Sequence, residues 1–184
     1  MIRNTLSCVA MLAISVALTF GTGCGVPVGG GSGGTVILIG PNDPNGGAAC
    51  SDEYSTAELA AQAVALGNTE RARAGVGPLA VDPVLQAVAQ AYAEAQAAQG
   101  FIGHTDLNGD TVDGRIADAG YAWTAVGENL AYGPCTAESV VTGWMNSEGH
   151  RTNLLRSVFT HTGLGVYRGG EHRIYWVQVF ATPQ

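Results

Sequence analysis

The chain has 184 residues, of which 46% are hydrophobic, 12% charged and 7% aromatic, enough for one ordinary domain core with attachments and too little for two. Fifteen Asp and Glu stand against eight Arg with no Lys, and this net charge of -7 leaves no basic stripe for phosphates and argues against a nucleic-acid partner. Many of the 27 glycines fall before the middle of the chain, so the excess describes a flexible segment and not the core.

Residues 1–23 read as an export signal. Arg3 supplies a positive start, and the apolar run from Leu6 to Phe20 is too short and too thinly flanked for a comfortable transmembrane helix. Gly21-Thr22-Gly23 then closes on Cys24, an arrangement that resembles the lipobox of bacterial lipoproteins, whose cysteine becomes the lipidated first residue. Lipoboxes usually carry Leu where this chain has Gly21, so ordinary cleavage after the small-residue run is the alternative. Residues 24–50 form a glycine-rich tether with Pro-Asn-Asp-Pro turn vocabulary, interrupted at Val36 to Ile39 by an apolar run that is either tether or edge strand. The folded domain is expected over residues 51–184.

Cysteine counting bears on the anchor. Cys8 leaves with the signal, and if Cys24 carries lipid, Cys50 and Cys135 remain as a pair for a disulfide in an oxidising compartment. Two separate thiols are the other possibility, since sequence does not give the distance between their Cα atoms.

Within the domain, Thr56 reads as an N-cap, with Glu58 in the first turn and Leu59, Ala63 and Leu66 at helical spacing before Gly75 and Gly77. Asp82 before Pro83 starts a second helix that runs to about Gln99, with Val84, Val88 and Tyr92 on one face and Gln86, Gln90 and Glu94 on another. Shorter helices fit Val112 to Ala119, stopped by Gly120, and Ala137 to Asn146, capped by Thr136. The period then changes. Gly163 to Tyr167 and Arg173 to Phe180 read as strands joined through Gly169-Gly170. In the second, both alternate sets are mostly apolar, Ile174, Trp176 and Phe180 against Tyr175, Val177 and Val179, which predicts a central strand covered on both faces by helices.

Four segments carry more than secondary structure: Phe101-Ile102-Gly103-His104, Gly127-Glu128-Asn129-Leu130, the run from Trp144 through Ser147-Glu148-Gly149-His150-Arg151 to Leu155, and Tyr175 to Phe180. With Asn68, Arg71, Arg73 and Pro78-Leu79 in the first helix and its turn, their order and spacing resemble the bacterial branch of the CAP superfamily, the SCP-like extracellular proteins, over Glu58 to Phe180. The resemblance implies an α+β fold, a three-layer α-β-α sandwich. It also implies that His104, Glu128 and His150 line a central cleft, with Glu148 at its edge, and that members bind lipids, proteins or divalent metals without a shared catalytic activity.

Two imidazoles and two carboxylates converging would suit a divalent cation, Zn²⁺ being the usual occupant of such a ligand mix. Each residue also has a structural reading: Glu128 and Asn129 as capping or loop-holding groups, His150 as a helix N-terminal donor, and Trp144 and Trp176 as core aromatics. His161 and His172 read as ordinary strand-end residues. Asp106-Leu107-Asn108-Gly109-Asp110 begins like an EF-hand loop but has Thr111 in place of the turn glycine and Ala117 in place of the closing Glu, so it reads as a solvated turn.

His-Glu-x-x-His and the phosphate-binding Gly-x-x-x-x-Gly-Lys are missing from the sequence. The expected function is therefore an exported, envelope-associated binding protein for a lipid, peptide or protein ligand, held to the membrane by its lipid; a metal-dependent hydrolase of peptides or cell-wall material is the alternative. Replacing Cys24 by Ser is expected to move the protein from the membrane fraction to the soluble fraction. Mass spectrometry of the mature N-terminus reads the modification directly, and an unmodified N-terminus removes the anchor.

Overall fold

The computed structural model describes residues 36–38, 50 and 52–184; the export signal and Cys24 lie outside the described residues. The elements in chain order are β1 (Val36–Leu38), α1 (Thr56–Arg73), β2 (Ala80–Val81), α2 (Pro83–Gln99), α3 (Val112–Asp118), β3 (Trp123–Tyr132), α4 (Ala137–Asn146), α5 (Glu148–Leu155), β4 (His161–Arg168) and β5 (Ile174–Pro183). The strands form one five-stranded sheet in the order β1-β3-β5-β4-β2, with β5 antiparallel to both β3 and β4 and the short outer strands β1 and β2 parallel to their neighbours.

Strand β5 is central, and its alternation divides the core as the sequence leads one to expect. Ile174, Trp176 and Phe180 pack with Leu59, Ala63, Val140, Trp144 and Leu154 from α1, α4 and α5. Tyr175, Val177 and Val179 pack with Leu85, Ala89, Tyr92 and Ala93 from α2 and with Ile116 from α3. This is the three-layer α-β-α arrangement. The two tryptophans are fully buried core aromatics whose indole N–H groups donate to the Leu130 carbonyl (Trp144, 3.3 Å) and the Pro134 carbonyl (Trp176, 2.8 Å).

Helix α2 lies unusually close to the sheet. A Cβ on Gly163 would stand 2.1 Å from the Leu85 carbonyl carbon, and one on Gly165 would stand 2.3 Å from that of Ala89. With its backbone so near, α2 also completes the edge of β4: Gln86 bonds both the Leu164 carbonyl (2.7 Å) and its N–H (3.1 Å), and Gln90 accepts from the Val166 N–H (3.1 Å). Strand β2 reaches only His161 and Thr162, so these two amides continue the ladder where the strand has ended.

Boundaries differ slightly from the sequence reading. The N-cap of α1 is Ser55, which forms a capping box with Glu58, so Thr56 is the first helical residue. Residues 36–38, undecided between tether and edge strand, form β1 against β3. Strands β2 and β3 and helix α5 were not anticipated; their sequences carry too little periodicity to announce them. Cys50 and Cys135 form a disulfide with Cα atoms 5.1 Å apart, joining the start of the domain to the turn between β3 and α4. Enclosing 85 residues of separation, it stabilises the fold by about 4 kcal/mol in the chain-entropy account.

The glycine geometry yields a paired test. Gly163→Ala is expected to cost about 3 kcal/mol or more, because the clash is with helix backbone and not with a movable side chain. Gly77→Ala, with nothing within 4 Å of its added Cβ, is expected to stay within about 0.5 kcal/mol of the parent in urea unfolding.

Candidate functional site

Strand β3 carries the Gly-Glu-Asn segment in mid-sheet, and its pleat sends successive side chains to opposite faces. Gly127 and Asn129 face the α5 layer: a Cβ on Gly127 would meet the Phe159 ring at 2.8 Å, and Asn129 donates to the His150 carbonyl at 3.1 Å. Asn153 of α5 donates in turn to the Glu128 carbonyl and to Asn129 Oδ1, both at 3.1 Å. Glu128 faces the other way, with Leu130, toward α2 and α3.

The Glu128 side chain is 1% exposed, and both of its oxygens are engaged. His104 Nδ1 donates to Oε1 at 2.8 Å, and the Arg115 guanidinium donates to Oε2 at 2.6 Å. Because a carboxylate accepts and the imidazole Nδ1 therefore donates, His104 Nε2 is left as the acceptor nitrogen; it is buried and has no hydrogen-bond partner among the described residues. Arg115 also donates to the His104 carbonyl (3.3 Å) and the Asp110 carbonyl (3.0 Å), and its guanidinium carbon lies 3.4 Å from the centroid of the Tyr92 ring.

The segment bearing His104 is fixed from both ends. Gly100, left-handed at φ 65°, caps α2 and turns the chain back along it. The Gly103 carbonyl then accepts from the Tyr92 hydroxyl (2.5 Å) and from Gln96 (3.2 Å). Downstream, the Asp106 carboxylate takes the N–H groups of Asn108 (2.8 Å) and Asp110 (2.9 Å), so the EF-hand-like stretch is a self-bonded turn leading into α3.

Of the residues singled out in the sequence, the structure brings His104 and Glu128 together and does not add His150 or Glu148 to them. His150 is buried on α5, with its Nδ1 2.8 Å from Ser147 Oγ and its carbonyl tied to Asn129. Glu148 is exposed in the first turn of α5. His161 opens β4, and His172, in the hairpin before β5, stacks on Tyr132 at a ring separation of 4.2 Å. A divalent cation would need several of these donors on one side of a shared space. Among the described residues no three His, Cys, Asp or Glu side chains are grouped so as to hold one, and the carboxylate best placed to serve is saturated by an imidazole and a guanidinium. The arrangement does not fit a metal as it stands.

Sequence reasoning missed Arg115 and Tyr92. Tyr92 looked like one more apolar position on α2. Arg115 had a signal: it is the only Arg between Arg73 and Arg151 in a chain without Lys.

Comparison with known proteins gives a match over residues 64–180 to the family described as CAP, the cysteine-rich secretory protein family. The uncharacterised protein YkwD of Bacillus subtilis is 36% identical over 117 residues, covering 64% of this chain and 44% of that protein, so the match spans less than half of the relative. Among solved structures, an extracellular protein of Bacillus anthracis containing an SCP domain superposes with a TM-score of 0.64 at 28% identity, covering 68% of this chain and 41% of that one. An outer surface protein of Borrelia burgdorferi shares the fold, with a TM-score of 0.66 at 24% identity over 71% of this chain and 97% of that one.

Burial pushes the Tyr92 phenol up from 10.0 to about 12; Arg115 pulls it down and Glu128 adds to the rise. A folded value above the unfolded one means that this contribution to stability is complete below pH 10.0 and is lost as the pH climbs toward 12. Tyr92→Phe is expected to remove the last-titrating phenol from an ultraviolet titration and to flatten the alkaline fall in stability. At neutral pH, urea unfolding is expected to register a loss of about 1 kcal/mol for the missing bond to Gly103.

Proposed function

The chain belongs to the cysteine-rich secretory protein (CAP) family, and on that premise we propose that it is an exported binding module of the bacterial envelope, anchored through a lipid on Cys24. Its cleft around His104 and Glu128 recognises a lipid, peptide or protein ligand and performs no chemistry on it. Export is supported by the disulfide, a bond that persists in oxidising compartments, and by the extracellular and outer-surface descriptions of its structural relatives. Among the described residues no helix is long and apolar enough to cross a membrane; the lipid reading rests on Cys24 after the small-residue run Gly21-Thr22-Gly23.

The observation that carries the binding reading is that both oxygens of Glu128 are already engaged and the side chain is shut away from solvent. General-base or metal-assisted hydrolysis needs a carboxylate oxygen or a metal-bound water open toward the substrate. Here both oxygens are spent inside the fold, and the cluster serves to hold the His104 segment in shape. The hydrolase reading has one observation in its favour, the His104 imidazole, which is oriented by a carboxylate at Nδ1 and retains an acceptor at Nε2. That nitrogen is shut away from solvent and would need the segment to open before it met water.

Glu128→Gln tests the choice, since it keeps the shape and removes the charge that pairs Arg115. The variant is expected to lose about 2 kcal/mol of stability in chemical unfolding, because a part-buried guanidinium is left without its counter-charge. The unaltered protein is expected to show no turnover above background on peptide, ester or cell-wall substrates, with or without Zn²⁺. Turnover that vanishes in a folded Glu128→Gln protein would make the protein a hydrolase.

A further inference from the structure

Arg115 is the part of this cluster that a metal-holding cleft has no use for. Its side chain is 11% exposed, and it brings the only Arg charge between Arg73 and Arg151 of an acidic chain into the interior. The guanidinium makes the contacts a cation would seek there: one carboxylate oxygen at 2.6 Å, two carbonyl oxygens at 3.0 and 3.3 Å, and the face of Tyr92 at 3.4 Å. The other carboxylate oxygen holds His104. Nothing about the carboxylate is left for a second positive charge to neutralise.

We propose that the Arg115 guanidinium is the resident cation of this cleft, a covalent substitute for the divalent metal that the family resemblance implies, so that His104 and Glu128 are held in place without Zn²⁺. The position of the charge is set by α3, which begins immediately after the turn that Asp106 builds, and by the Tyr92 ring beneath it. Helix and cation are thus delivered together: Arg115 stands one turn into α3, and the same helix buries Val112 and Ile116 against the sheet. A divalent ion would have to displace the guanidinium from a carboxylate oxygen and two carbonyls, leaving it in an acidic but poorly hydrated pocket.

The test is a Zn²⁺ titration by calorimetry of the exported protein and its variants, at neutral pH. The parent is expected to show no saturable site that His104→Ala removes. Arg115→Met, which frees one oxygen of Glu128, is expected to gain a Zn²⁺ site at least about ten-fold tighter than any residual binding in the parent, and to lose it when His104→Ala is added. Arg115→Lys, which keeps the charge, is expected to exclude Zn²⁺ as the parent does. A second measurement covers poor folding of Arg115→Met: the double variant Arg115→Met with Glu128→Gln removes both charges and is expected to melt at a higher temperature than Arg115→Met alone. The proposal is overturned if the parent binds one Zn²⁺ through His104 or Glu128 with an affinity that Arg115→Met leaves unchanged. It is equally overturned if the double variant melts no higher than Arg115→Met. Both readouts concern cations and melting temperature, so they succeed or fail independently of whether the cleft binds a ligand or turns one over.

Discussion

A carboxylate inside a sheet is the constraint around which the cluster of Glu128, His104 and Arg115 is organised. Removing Glu128 from water carries a large desolvation penalty, which only close opposite charge and well-formed hydrogen bonds can offset. The partners cannot come from the strand itself; they arrive from the segment after α2 and from α3. Helix α3 has seven residues and buries only Val112 and Ile116, too little apolar surface to fix it on the sheet with any precision. The ion pair supplies the missing registration, and with it the position of His104, whose carbonyl Arg115 also holds.

On the opposite face the same economy of polar groups recurs with different chemistry. Arg71 is 1% exposed and donates to the carbonyls of Gly77, Leu154, Arg156 and Phe159, so one side chain gathers the end of α1, the end of α5 and the approach to β4. Asn68 brackets Leu79 through both its N–H and its carbonyl, and Asn129 and Asn153 lace α5 to β3. These side chains satisfy backbone groups that chain ends and loops would otherwise leave orphaned. Family-like residues such as Asn68, Arg71 and Asn129 are therefore accounted for by architecture, and they need no ligand to explain them.

What the sequence made legible follows from which signals are local. The cap at Asp82-Pro83, the glycine stop at Gly120 and the cap at Thr136 are read within four residues, and α2, α3 and α4 lie within a residue of where those signals put them. The two-sided apolar alternation of β5 identified the central strand and the layers that cover it. Strand β3 was hidden because its middle is Gly-Glu-Asn, a polar triplet that looks like a loop until each member is seen to have a partner across a layer. Helix α5 was hidden for a related reason: only His150 and Leu154 of its eight residues are buried. The pairing of His104 with Glu128 came from the family resemblance, whereas the isolation of Arg115 in the sequence gave no hint of its partners, because its role depends on three segments meeting in space.

The two faces of the sheet also differ in how they can evolve. The α1, α4 and α5 layer meets the sheet through large side chains, Trp144, Trp176, Phe159 and Phe180, which tolerate some repacking as long as volume is kept. Helix α2 meets it through Gly163, Gly165, Ala89 and Ala93, where backbone lies against backbone and no slack exists. The cleft residues hang from this second, unyielding contact: Tyr92 and Gln96 of α2 hold the Gly103 carbonyl, and Gly100 sets the direction of the chain toward His104. A close-packed helix of this kind places the imidazole reproducibly while the loop beyond it, which presents exposed Leu107 to solvent, is free to vary. The room to vary lies at the exposed positions around Leu107, because the Asp106 turn and the Asp110 carbonyl are themselves tied to α3 and to Arg115.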